Sequence, residues 1–306
     1  RHRVGQQPVR VVVRLDRPHP AARIPREVDD PADQRLGREQ LESEARPQRR
    51  QRERVQGELE AGSDIQRQLL PTEVPNIPGF HLDASYTPAR EIAGDYWDVV
   101  EIEPGRWAVV IADVAGKGVP AALVASLAKG HLSSSLRSGA GPLEALQALN
   151  REIRIAPKRR GRLFMTMVLI ILDTASGRVS VARAGHEPPL LVRNDGRLET
   201  IEPRGLAIGI DPGPRFRSAF DLAEIELAHG DSIVLFTDGL TEAANPRGEQ
   251  YGHVRLRTLL EDEIPTDGRD ISRVIIDSVS AFREGAEPSD DLTLLVLRRV
   301  GAGGVQ

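Results

Sequence analysis

The chain contains no cysteine. That excludes disulfides, a thiol nucleophile and cysteine-ligated zinc, and it leaves the redox compartment open. No run of about 18 apolar residues occurs, so no membrane span is expected. Charge imbalance is slight, a formal −4 over 306 residues, and bulk electrostatics therefore selects no class of partner. A Walker-type Gly-Lys-Ser/Thr run is missing, which argues against a nucleotide hydrolase. Aromatics are absent from the first 55 residues, and large apolar side chains are few there. This arginine-, glutamine- and proline-rich stretch cannot bury enough surface to offset chain entropy. It reads as a disordered extension over residues 1–51, or as the remnant of an upstream domain. Acids interleaved among its arginines count against a nucleic-acid-binding arm, and no nucleic-acid partner is expected. Arg1 opens the chain, which reads as a fragment without a signal-peptide pattern.

What is present suits a globular domain. The chain is 40% hydrophobic and 28% charged, enough to build a core across some two hundred residues. Residues 52–71 carry Val55, Leu59, Ile65, Leu69 and Leu70 at roughly helical spacing, ended by Pro71. They read as a linker or regulatory helix, weakened by Gly57 and Gly62. Beyond Phe80 strands and helices come in blocks. Trp107–Asp113 is an apolar strand ending in an acid. Helices are expected over Pro120–Leu136, Pro142–Ile155 and Arg269–Phe282. Phe164–Asp173 and Arg178–Ala184 form a hairpin about Thr174–Gly177, and Pro189–Arg193 and Leu198–Ile201 another about Asn194-Asp195-Gly196. Ser218–Leu227 alternates like a strand, Ser232–Thr237 is a buried strand, and Leu292–Leu297 is the last. Antiparallel hairpins with grouped helices argue for α+β layers.

Four acidic motifs share a local form, an aspartate at a strand end or beside glycine. They are Gly94-Asp95-Tyr-Trp-Asp98, Asp113-Val-Ala-Gly116-Lys-Gly118, Thr237-Asp238-Gly239 and Ser289-Asp290-Asp291-Leu-Thr293. Hard divalent cations prefer oxygen ligands, and carboxylates from several strand ends can gather a pair of them. Such a pair lowers the pKa of a shared water and clamps a phosphoryl group. Any one of these motifs alone is more simply a turn or a helix cap. Spacing alone also leaves a calcium-binding or nuclease reading open.

The segments resemble the metal-dependent protein phosphatases (PPM, type two C), and among them the bacterial SpoIIE/RsbU-like branch. The likeness runs from about Asp64 to Arg299. It is carried by Ile65-Gln-Arg-Gln-Leu-Leu-Pro71, the four acidic motifs, Phe164-Met-Thr-Met167, Ala184-Gly-His-Glu-Pro-Pro-Leu190 and Gly205-Leu-Ala-Ile-Gly209. The resemblance implies a PPM-type β-sandwich of two mainly antiparallel sheets flanked by helices, occupying residues 72–300.

It also implies the site. Asp113 would bridge two divalent cations, Mn²⁺ or Mg²⁺, with Asp95, Asp238, Asp290 and the carbonyl of Val114 as further ligands. Val114 stands where many relatives have glycine. Asp291 stands where eukaryotic relatives carry asparagine and would sit outside the ligand set. Asp98 falls nearby with no assigned role. Arg90, five residues before Asp95, would hold the phosphate. Ala93-Gly94 departs from a frequent Gly-Gly. His186 reads as a buried residue fixing the turn before Pro188-Pro189, with a general acid as the alternative; Lys117 reads as either a phosphate-steering or a solvated lysine, and Leu206–Gly209 as a loop closing on the core. The activity implied is hydrolysis of phosphoserine or phosphothreonine on a cytoplasmic anti-sigma factor antagonist with a STAS domain. Residues 52–71 would serve as the regulatory element and as the route to a homodimer. The competing expectation is a degenerate module that binds metal or phosphoprotein without turnover.

Overall fold

The computed structural model describes residues 70–71, 73–89, 93–116, 118–153, 163–211, 213–262 and 270–301, with isolated positions at 51, 54, 57 and 62. The expected extension over 1–51 and linker helix over 52–71 therefore lie almost wholly outside the described residues. The chain divides into two compact units, Arg1–Glu53 and Arg54–Gln306, and the second holds the named strands and helices.

Among the described residues, ten strands form two five-stranded antiparallel sheets. One has the order β1 (Phe80–Thr87), β10 (Leu292–Arg299), β9 (Ser232–Phe236), β6 (Leu190–Val192), β7 (Leu198–Thr200). The other runs β2 (Tyr96–Glu103), β3 (Arg106–Val114), β4 (Met165–Asp173), β5 (Arg178–Ala184), β8 (Ala223–Glu226). The helices that accompany them are α1 (Val119–Arg137), α2 (Pro142–Ile153), the short α3 (Pro214–Ser218) and α4 (Asp238–Thr241), then α5 (Gly252–Asp262) and α6 (Ile271–Arg283).

The period-2 pattern of the strands explains the layering. On β3, Trp107, Val109 and Ile111 point between the sheets, where they meet Val168, Ile170, Leu235 and Leu295. The alternate residues Ala108, Val110, Ala112 and Val114 face outward beneath α1 and α2. Those outward positions are small or β-branched, and α1 presents Ala121, Ala125 and Ala128 to them, so helix and sheet approach closely. The other sheet shows the same logic. Val234, Phe236, Leu294 and Val296 pack outward against α5 and α6 through Leu256, Leu259, Ile271 and Ile275. A β-strand buried on both faces reads as a continuous apolar run, which is why Trp107–Ala112 stands out in the sequence.

Strands β1 and β2 and the short helix α4 are not named by the sequence reading, and two further elements depart from it. Ser218–Leu227 is not one strand. Pro214 opens the short helix α3, which ends at Ser218, and only Ala223–Glu226 joins the sheet beside β5. The cause is tertiary: Phe216 and Phe220 stack 4.7 Å apart in the layer beneath α2, which pins the α3 turn. Helix α5 was not expected at all. Its apolar residues are few, and Val254 is 78% exposed.

The core between the sheets should dominate stability. Ile111→Ala removes a fully buried side chain and is expected to cost about 2–5 kcal/mol. Urea unfolding followed by circular dichroism reads this directly.

Candidate active site

Strand register brings the acids together in pairs, one pair in each sheet. Asp95 immediately precedes β2, and Asp113 is the penultimate residue of β3. These strands are antiparallel neighbours, with Tyr96 opposite Ala112. Asp238 follows β9 and Asp290 precedes β10, which are likewise antiparallel, with Phe236 opposite Leu294. One pair thus stands at the end of each sheet, and the hydrogen bonds from Thr237 and Thr293 to Asp95 bring those ends together.

Hydrogen bonds tie the two sheets together there. Asp95, 2% exposed, accepts from Thr237 Oγ1 at 2.8 Å and from Thr293 Oγ1 at 2.6 Å, both through Oδ2. Asp291 reaches the other way: its Oδ1 accepts from the backbone N–H of Ala89 at 2.8 Å, and its Oδ2 from that of Gly94 at 2.7 Å. Both oxygens are occupied by backbone donors, in keeping with a place outside a ligand set. Asp290 Oδ1 accepts from the backbone N–H of Asp291 at 3.0 Å. Gly239 is a packing requirement, since a β-carbon there would lie 1.9 Å from the Asp291 carbonyl oxygen.

The charges interact as their proximity demands. Burial, the largest cause, raises the Asp95 carboxyl well above its ordinary value; nearby Asp113 and Asp291 add to this, and the two threonine hydroxyls oppose it. Asp238 is also raised, first by burial and then by Glu242, Asp290 and Glu187, with the Gly239 N–H opposing. Around Asp95 and around Asp238 alike, neighbouring carboxylates thus add to the effect of burial in disfavouring ionisation.

Such a site asks for a cation, and the donors suit a hard one. At Gly94 a β-carbon would sit 3.1 Å from the Val114 carbonyl oxygen, 3.3 Å from Asp113 Oδ1 and 3.4 Å from the Gly116 carbonyl oxygen. Three oxygens thus crowd this position, and a side chain there would require them to give by a few tenths of an ångström. Among the described residues, no group of three or more His, Asp or Glu side chains is gathered tightly enough to grip an ion by itself. Backbone oxygens of Val114 and Gly116 lie beside Asp113 at this point. The residues fit divalent cations bound through oxygen.

The remaining expected residues fall as follows. Arg90 and Lys117 lie outside the described residues. Asp98 is 3% exposed and turns from the acids to α1, accepting from Lys129 Nζ at 2.8 Å and from the Tyr96 hydroxyl at 3.2 Å. His186 is buried, its Nδ1 2.8 Å from Thr166 Oγ1, and its backbone carbonyl accepts from Arg183 at 3.0 Å. The Leu206–Gly209 loop is bound to the core. Ile208 exchanges backbone hydrogen bonds with Met165, and the amide of Asn150 on α2 brackets the loop through the Gly209 N–H and the Asp211 carbonyl. Thr237, Thr293, Thr166 and Asn150 were not singled out from sequence. The two site threonines stand one residue before Asp238 and three after Asp290, and that adjacency is the only signal they give.

With this geometry in view, comparison with known proteins decides the family. The model of the stage II sporulation protein E (SpoIIE) family matches residues 103–300. The chain belongs to the SpoIIE family of PPM-type phosphatases. It is 32% identical over 246 residues to the phosphoserine phosphatase RsbU of Bacillus subtilis, a match covering 80% of this chain and 71% of RsbU. It is 30% identical to the solved RsbU and RsbW domains of a Mycobacterium tuberculosis protein, at a TM-score of 0.63, over 76% of this chain and 63% of that one. The SiaA PP2C domain of Pseudomonas aeruginosa, at 20% identity, shares the fold with a TM-score of 0.69 over 81% of this chain and 98% of that domain. The SpoIIE-family chain spans less of some relatives, 41% of the Synechocystis protein IcfG.

His186 supplies a test of the packing beside the site. Burial, assisted by Arg183 and opposed by the Phe236 backbone, pushes its pKa from 6.5 down to about 3. Between those values the unfolded state binds the extra proton, so stability falls as pH drops below about 6.5, by up to about 1.4 kcal/mol per pH unit. His186→Asn should flatten that part of the pH–stability curve. Urea midpoints from pH 7 to 4 that fall in parallel for both proteins would contradict it.

Proposed function

We propose that the chain hydrolyses phosphoserine or phosphothreonine on a protein, and that this protein is an anti-sigma factor antagonist of the STAS-domain kind. What supports the reading is the place of Asp95 and Asp113 at neighbouring ends of β2 and β3, and of Asp238 and Asp290 at neighbouring ends of β9 and β10, with the Val114 carbonyl beside Gly94. The kinship with a phosphoserine phosphatase, RsbU, supports the substrate class. The RsbU and RsbW domains of the mycobacterial neighbour support a signalling setting. Among the described residues, no helix is long and apolar enough to cross a membrane. The reading places the chain in the cytoplasm with its substrate, and makes a homodimer joined through residues 52–71 the assembly to look for.

In this reading Asp95, Asp113, Asp238, Asp290 and the Val114 carbonyl would hold two divalent cations, Mn²⁺ or Mg²⁺, with Asp113 shared between them. Bound there, the cations would activate water for direct attack on phosphorus and neutralise the phosphoryl oxygens. The protein's own share is orientation and charge. Asp291 fixes the backbone at Ala89 and Gly94 and so sets the approach of β2 to Asp113. Arg90, carried on the segment between those two anchors, is assigned to the phosphate, where a guanidinium fork matches two oxygens. The mutually repelling carboxylates leave the site intolerant of a phosphate dianion until their charge is offset. Hydrolysis without a covalent intermediate follows from water being the nucleophile.

Phosphate release from p-nitrophenyl phosphate, a phosphoserine peptide and a phosphorylated STAS-domain protein, in Mn²⁺ or Mg²⁺ and with EDTA added, is the test. Turnover should vanish in EDTA. Asp113→Asn and Asp238→Asn should abolish it while circular dichroism stays native. Retained turnover in either variant would reject the assignments. Metal uptake without any turnover by the wild-type chain would instead mark a binding module.

A further inference from the structure

Two hydroxyls at the site have no part in the ligand set and yet are wholly buried, Thr237 and Thr293, each 0% exposed. A buried hydroxyl away from any charge needs only one partner. These two spend their protons on the same atom, Asp95 Oδ2, at 2.8 and 2.6 Å. They are also wired in series. The Thr293 backbone N–H donates to Thr237 Oγ1 at 3.0 Å. A hydroxyl has a single proton, so with its lone pair engaged by Thr293, Thr237 is set to donate. Its other acceptor, the Asp291 carbonyl, is farther, at 3.4 Å. Asp95 Oδ2 therefore carries two donors, while among the described residues Oδ1 makes no hydrogen bond.

Both threonines sit on the sheet opposite Asp95. Thr237 follows β9 directly, Thr293 lies in β10, and their backbones are joined by the Thr237 N–H to Thr293 carbonyl bond of 3.0 Å. The rigid ladder of one sheet thus dictates the rotation of a carboxylate rooted in the other. We propose that Thr237 and Thr293 are positioning residues that saturate Oδ2 of Asp95 and thereby turn Oδ1 alone toward the cation site. The proposal rests on the metal-binding reading of the four aspartates. It predicts that either hydroxyl can be lost without emptying the core, because valine keeps the shape, but that Asp95 is then free to rotate or to share both oxygens. Loss of such outer contacts typically weakens metal binding by about 10–100-fold.

The experiment is titration of the metal-free full chain with Mn²⁺, reading free Mn²⁺ by electron paramagnetic resonance. Wild type, Thr293→Val, Thr237→Val, Thr293→Ser, Thr237→Ser and Asp113→Asn are compared, with circular dichroism in EDTA establishing the fold of each. Each valine variant should bind Mn²⁺ about tenfold or more weakly, and each serine variant should bind like wild type, since the hydroxyl is restored. Valine variants that match wild type while Asp113→Asn loses binding would overturn this inference and leave the metal reading intact. Serine variants as weak as the valine ones would overturn it too, because the methyl group and not the hydroxyl would then matter. Valine variants that fail to fold where the serine variants fold would make the hydroxyls structural and would equally overturn it. A wild-type chain that takes up no Mn²⁺ would defeat the metal reading and this inference together.

Discussion

A buried carboxylate joins the two halves of this protein. Asp95 is rooted at the start of β2 in one sheet and is held by hydroxyls from the other, at β9 and β10. Removing a carboxylate from water costs several kcal/mol unless hydrogen bonds and opposite charge compensate. Here two hydroxyls compensate in part, while Asp113 and Asp291 press in the opposite sense. No apolar contact would put such a group at the junction of two sheets. The sandwich core between Ile111, Ile170, Leu235 and Leu295 supplies the stability that lets the junction exist. The site is therefore a place where burial and neighbouring acids disfavour ionised carboxylates on a stiff frame. A group bound there as a cation would relieve repulsion and lock the sheets in one step, so binding and rigidity at this end are one free-energy term.

Much of this was legible in the sequence because it is local. Trp107–Asp113 reads as a strand since both of its faces are buried, and the hairpins at Thr174–Gly177 and Asn194–Gly196 announce themselves through turn residues. The acids are legible because each stands beside glycine or at a strand end. What escaped is what depends on contacts distant along the chain. Thr293 bonds an aspartate 198 residues away and Thr237 one 142 residues away. No periodicity encodes such partners. Ser218–Leu227 misled for a related reason: its alternation is real, but Pro214 and the Phe216–Phe220 pair commit the first part to a turn against α2. Helix α5 escaped because much of its surface is solvated.

Asp98 shows how a motif can hold two unlike roles. It lies three residues beyond Asp95, within β2, and its alternation places it on the outer face of the sheet. There it meets Lys129 of α1, not the other acids. The pairing matters because the rest of the α1 contact is made largely by alanines, which bury little area each. A charge pair to which the Tyr96 hydroxyl also donates adds a directional tie between this helix and β2.

The departure Ala93-Gly94 from a frequent Gly-Gly separates two demands that sequence comparison blurs. Ala93 is buried at 2% exposure, and its methyl group is accommodated there. At the next position a β-carbon would lie within 3.1–3.4 Å of three oxygens, those of Val114, Asp113 and Gly116. The constraint there is space, not backbone freedom. A methyl group would sit tightly against those oxygens, which would have to give by a few tenths of an ångström. The second position is thus the more crowded of the two, while the first accommodates a methyl group.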